Sequence, residues 1–142
     1  MKVKCIKTSF ADDQEVALRC PAEIKNKQHI SLGKHYVVYA IECSNDDLVK
    51  YLIQEDTYRP RLYPANLFEV IDSQLPYEEW HFGKYQNPVA INGIVTYFYV
   101  FGSKEMATDY NLFMSIIEQD QEGLFHFEEW RKLIDQQYES PY

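Results

Sequence analysis

The sequence predicts an α+β protein, with strands filling its first half and a β-hairpin followed by two helices in its second. Three observations carry this. From Lys2 to Ile71 the apolar residues alternate or run in short blocks, the spacing of strands. Asn92-Gly93 stands between two apolar runs, a strong local hairpin signal because both residues accept positive φ. Beyond Gly102 the apolar residues recur every three or four positions, the period of amphipathic helices. The 142 residues leave room for one domain with a core, or for two small lobes that share an interface.

Lys2 to Lys7 places Val3 and Cys5 on one face of a first strand. His35 to Ile41 is apolar on both faces, as a central strand would be, and Leu48 to Gln54 alternates, with Val49, Tyr51 and Ile53 on one side. Ser44-Asn45-Asp46-Asp47 supplies turn chemistry between these two, so they are expected to form a hairpin. Arg59 to Tyr63 carries Pro60 and belongs at a sheet edge, while Pro64-Ala65-Asn66 can make one tight turn before Leu67 to Ile71. Residues 8 to 29 read as a polar loop. In the second half, Leu75 to Trp80 suggests a short helical turn, and Pro88 to Ile91 and Ile94 to Phe101 suggest the arms of the Asn92-Gly93 hairpin. The longer arm is apolar on both faces and must be covered on both sides or lie in an interface. Ser103 caps an expected helix reaching to about Gln119, with Met106, Tyr110, Phe113 and Ile117 on one stripe. Asp120 caps a second helix to about Tyr138, with Phe127, Trp130, Ile134 and Tyr138 facing inward.

The order Ile30-Ser31-Leu32-Gly33-Lys34-His35-Tyr36, two longer strands, then Tyr63-Pro64-Ala65-Asn66-Leu67-Phe68-Glu69-Val70 resembles the small SH3-like barrels of short bacterial and phage proteins. The resemblance covers residues 1–7 and 30–72. It implies a five-stranded SH3-like β-barrel over residues 1–72; residues 73–142, by their own pattern, are expected to form an acidic, aromatic-rich hairpin and helical segment packed on it. The fold supports many unrelated roles, so the resemblance assigns no activity.

Charge narrows the partners. Fourteen Lys and Arg against 22 Asp and Glu give a net charge of −8, which argues against nucleic acid and anionic membranes and points, for a charge-steered encounter, to a basic partner. Residues 1–72 hold ten basic and eleven acidic side chains, residues 73–142 four and eleven, so the second half carries nearly all of the excess. The N-terminus lacks the apolar stretch of a secretory signal, and no run of eighteen apolar residues occurs. Cys5, Cys20 and Cys43 form no CxxC pair, so no disulfide framework or zinc knuckle is expected and a reducing, cytoplasmic compartment fits. The glycines match neither GxGxxG nor a P-loop, and the four histidines match no HxxxH or HExxH spacing, so neither a cofactor nor a metal is expected. A Cys or His nucleophile remains open as an enzyme reading, and a self-assembling scaffold joined through Ile94 to Phe101 as a structural one.

The feature that stands out is acidic residues interleaved with aromatics: Glu78, Glu79, Trp80 and Tyr85, then Glu118, Asp120 and Glu122, then Glu128 and Glu129. Aromatic anchors inside a charged rim are the composition of tight protein interfaces, so these nine residues form the expected partner-binding set. In size, acidity and layout the chain also resembles immunity proteins of bacterial toxin systems, including those of contact-dependent growth inhibition, whose toxins are often basic nucleases. That resemblance implies a binding protein, not an enzyme, that neutralises a basic cognate toxin by covering it.

Overall fold

Two adjacent amides divide this chain between two sheets. The computed structural model describes residues 1–8, 29–44, 48–75 and 79–139, and within it Val38 donates its N–H to the Met1 carbonyl at 3.0 Å while Tyr39 donates to the Leu52 carbonyl at 2.8 Å. Both side chains are buried. The apolar run from His35 to Ile41 is therefore not one central strand; it is a crossing point, and its two ends join different sheets. Before it, β2 (His35–Val37) joins β1 (Lys2–Cys5) and β6 (Phe68–Asp72) in the antiparallel order β2-β1-β6. After it, β3 (Ala40–Ser44) enters a five-stranded antiparallel sheet with β4 (Val49–Gln54), β5 (Pro60–Pro64), β7 (His81–Gln86) and β8 (Tyr97–Gly102), ordered β5-β4-β3-β8-β7.

The hairpin of β3 and β4 forms as the pattern requires, with Ala40 opposite Leu52 and Cys43 opposite Val49. Its turn, Asn45 to Asp47, lies outside the described residues, as do most of the expected polar loop, Cys20 and the expected helical turn at 76–78. Pro60 and Pro64 bound β5, which takes the outer position where missing N–H donors cost least. A single 3₁₀ turn, Ala65–Leu67, then delivers β6. Phe68 ties the sheets together, its ring lying 6.1 Å from Tyr36 of the small sheet and 6.1 and 6.5 Å from Tyr51 and Tyr63 of the large one.

The α+β class holds, but the expected barrel does not close. On its free side β3 pairs with β8, Ile41 opposite Phe101 and Ser44 opposite Phe98, so the strands of residues 1–72 are split between two sheets, one of which continues into residues 73–142. The hairpin around Asn92-Gly93 also differs from its expected form. The turn is present, with φ of +52° and +75° and reciprocal Ile91 and Ile94 backbone bonds of 3.1 and 2.9 Å. Farther down, however, β8 pairs with His81–Gln86 instead of Pro88 to Ile91. Pro88 has no N–H to contribute, and Pro88, Val89 and Ala90 stand opposite Val95 alone, which breaks the ladder between the Asn87–Thr96 bond and the tip.

Three helices follow among the described residues: α1 (Lys104–Thr108), α2 (Tyr110–Ile117) and α3 (Gln121–Glu139). The single helix expected from Ser103 to Gln119 is interrupted because Asp109 caps a helix of its own. Its backbone is extended and its carboxylate accepts from the Leu112 N–H at 3.2 Å. The break turns Ile116 rather than Ile117 into the core. Asp120 begins α3 as expected, accepting from the Gly123 N–H at 2.9 Å and from the Ser115 hydroxyl. Gly123 is required there, since a Cβ would stand 2.3 Å from the Ser115 carbonyl carbon and force α2 and α3 apart.

Candidate functional site

Helix α3 carries the acidic face. Its buried stripe, Phe127, Trp130 and Ile134, locks it to the crossing point of the sheets: Phe127 lies edge-on to Tyr39 at 5.3 Å, and the Trp130 indole donates to the Tyr39 carbonyl at 2.7 Å. With that side fixed, Glu122, Phe125, Glu129 and Leu133 face outward. They are three or four residues apart, so their side chains are neighbours on one helical surface. Phe125 is 70% exposed, and with Asp120, Gln121 and Glu122 it lines a shallow recess at the start of the helix.

Eight of the nine expected binding residues lie among the described residues. Glu118, Asp120, Glu122 and Glu129 are exposed, gathered at the corner of α2 and α3 and along α3. Bonds from the Ser115 hydroxyl and the Gly123 amide hold the Asp120 carboxyl below its usual range, so it is a fixed negative charge. Glu128 is half-buried and clamped by Arg131 at 2.8 Å, while Arg131 reaches Asp135 at 2.9 Å on its other side. Glu129 pairs only loosely with Lys132, at 3.5 Å. Glu79 is exposed, and Glu78 lies outside the described residues.

The two aromatics of the set do not behave as surface anchors. Trp80 is buried between Phe101, at 5.1 Å, and Trp130, at 6.2 Å, and so belongs to the core that seats α3 on the sheet. Tyr85 is half-buried against Phe98 and Tyr110, and its hydroxyl donates to the Met106 carbonyl at 2.6 Å. A tryptophan beside glutamates reads as an anchor in sequence; here the glutamate turns to solvent and the indole turns inward. The exposed apolar residues of the face are Phe125 and Leu133. Leu133 had a signal, since it falls off the Phe127-Trp130-Ile134 stripe.

A second concavity, invisible in the sequence because four separate segments build it, lies between β2, residues 54–58 and the end of α3. It encloses about 400 Å³, with Lys2, Tyr36, Tyr39, Tyr58 and Tyr138 among its lining residues. Its acids are already engaged. Asp56 accepts from Ser31 at 2.6 Å, Lys34 at 2.7 Å and Tyr36 at 2.8 Å, and Asp135 accepts from Tyr39 at 2.7 Å. Burial works against the charge on Asp56, but the bonds from Lys34, Ser31 and Tyr36 prevail and lower its pKa. Tyr58 stands at the mouth, 80% exposed and at φ +65°, a left-handed backbone that bulky residues rarely adopt.

Among the described residues no group of three or more His, Cys, Asp or Glu is placed to hold a metal ion, and no helix is long and apolar enough to cross a membrane. Burial pushes the Cys5 and Cys43 thiols up, away from the reactive thiolate. One His contact has a nucleophile-like geometry: the Ser103 hydroxyl lies 3.1 Å from His126 Nε2. Ser103 is buried, however, and the same oxygen accepts the Met106 N–H at 3.2 Å to cap α1.

Burial lowers the His126 pKa, with Glu105 opposing more weakly, so the folded protein takes up this proton at a lower pH than the unfolded chain does. Stability should therefore fall as pH drops below about 6.5, where the unfolded histidine protonates first. Thermal melts between neutral and mildly acidic pH should show a steeper loss in the wild type than in His126→Gln, which keeps a partner for Ser103 without titrating. Equal slopes would contradict this.

No protein-family model matches the chain, and no curated protein or solved structure matches it.

Proposed function

We propose that the protein is a binding module that takes a basic protein partner on the outward face of α3, and that its role is to neutralise that partner as immunity proteins neutralise toxins. The observation that carries this reading is Phe125, largely exposed on a helix whose other side supplies the core, with Glu122 one turn before it and Glu129 one turn after. Among the described residues Phe125 belongs neither to the core nor to any ring pair. In an interface the same ring supplies desolvated area at the centre, and carboxylates around it steer a cationic surface into register. The net charge of −8 extends the attraction beyond contact distance.

The test is co-purification from the native gene neighbourhood, identification of the partner by mass, and growth of cells expressing that partner with and without this protein. A basic, toxic partner whose toxicity is relieved by the wild type is the expected result. Phe125→Asp, checked for folding by circular dichroism, should weaken binding by roughly 2 kcal/mol or more and remove the protection. An acidic partner, or a Phe125→Asp protein that binds as tightly as the wild type, would overturn the proposal.

A further inference from the structure

From Trp80 to Gly102 the chain contains no Asp or Glu, although the whole protein carries 22. This acid-free stretch is the β7–β8 hairpin, and it exposes five large apolar side chains. Phe82, on β7, is 65% exposed; Val89, Ile91, Ile94 and Val95, in the arm that links the strands, lie between 45 and 72%. Five exposed large apolar side chains on one acid-free hairpin of an otherwise charged protein mark an interaction site.

Its shape matches a second copy of the same chain. β7 is an outer strand of the five-stranded sheet. The Asn87 N–H bonds to the Thr96 carbonyl at 2.9 Å, and antiparallel pairs alternate between bonded and open, so Phe82, Lys84 and Gln86 turn their N–H and C=O groups to the free edge. The opposite edge, β5, is guarded by Pro60 and Pro64. β7 has no proline, and its central Lys84 is drawn aside, the ammonium 4.3 Å from the centre of the Tyr97 ring.

We propose that two copies pair antiparallel along β7, joining two five-stranded sheets across a two-fold axis. Such a contact is self-complementary. The register that sets Lys84 opposite Gln86 of the second copy keeps the two ammonium groups apart and brings Phe82 of one copy against Pro88 of the other, where the apolar arm begins. Charge favours this occupant as well: two proteins of net −8 repel over most of their surfaces, and this hairpin presents no carboxylate. The pairing leaves the acidic face of α3 on a different element, so it stands independently of the partner proposed above.

Sedimentation velocity and light scattering over low to high micromolar protein test it. The wild type should shift with concentration from the 16.9 kDa monomer to twice that mass. Ile91→Ser combined with Ile94→Ser, which leaves the Asn92-Gly93 turn intact, and separately Phe82→Lys, should each raise the dimer dissociation constant at least tenfold. Phe125→Asp should leave it unchanged. A wild type that stays monomeric at the highest concentration, or hairpin variants that dimerise as the wild type does, would overturn the proposal.

Discussion

Replacing Trp130 with alanine should remove about 4–5 kcal/mol of folding stability, the upper range for deleting a buried aromatic. Three losses coincide at this residue. The cavity left behind is bounded by Trp80, whose ring lies 6.2 Å away, and through it by Phe101 on β8. The Tyr39 carbonyl loses its 2.7 Å bond from the indole N–H at the point where the chain passes from one sheet to the other. Of the large side chains that anchor helix α3 among the described residues, Phe127 and Ile134 then remain fully buried. Since small domains are stable by about 5–15 kcal/mol, this one change removes from roughly a quarter to nearly all of the total. Urea titration of Trp130→Ala and Trp130→Phe measures it, with Phe expected to cost distinctly less because it refills most of the cavity. A loss below about 1.5 kcal/mol for the alanine variant would show that α3 is not anchored this way.

Glu55→Ala should be the next most damaging change, at about 3 kcal/mol. Glu55 is 3% exposed at the end of β4, yet its carboxylate organises three neighbours: it accepts from the Tyr63 hydroxyl at 2.5 Å and the Thr57 hydroxyl at 2.9 Å, and it faces Arg61 at 3.4 Å. Removing it takes away the acceptor of the Tyr63 hydroxyl, which keeps only the bond it accepts from the His29 N–H at 3.2 Å, and leaves a guanidinium without its counter-charge. The cost sits at the low end for a broken buried pair because the Arg61 side chain is 27% exposed and retains some access to water. Glu55→Gln, whose single carbonyl oxygen can keep one of the two hydroxyl bonds while the charge is lost, should cost less than alanine. Equal losses for Ala and Gln in urea unfolding would show that the hydroxyl bonds contribute nothing.

What could be read from the sequence was what neighbouring residues decide. The β3–β4 hairpin, the proline-bounded edge strand, the 3₁₀ turn into β6 and the start of α3 at Asp120 all rest on alternation, turn chemistry or capping within a few positions. The break at Asp109 was also local, but a helical stripe through Tyr110 and Phe113 masked it. Which strands pair across the chain was not legible. His81 to Gln86 contains a glycine and several polar residues and does not read as a strand; it becomes one because β8 needs a partner on its outer side and Gly83 lets α1 approach, its absent Cβ position lying 1.8 Å from the Ala107 carbonyl oxygen. The site divides the same way. Carboxylates at helical spacing could be assigned to one surface, whereas the inward turn of Trp80 depended on Trp130, fifty residues later.

The most direct test of a charge-steered interface on α3 is the association rate with the partner as a function of ionic strength. Exposed charges are screened beyond about 8–10 Å at physiological salt, so the wild-type rate should fall steeply as salt rises. Reversing Glu122 and Glu129 to lysine should slow association and flatten that dependence, with little change in the dissociation rate. Association that is indifferent to salt, or unaltered by the double reversal in a folded protein, would contradict the account.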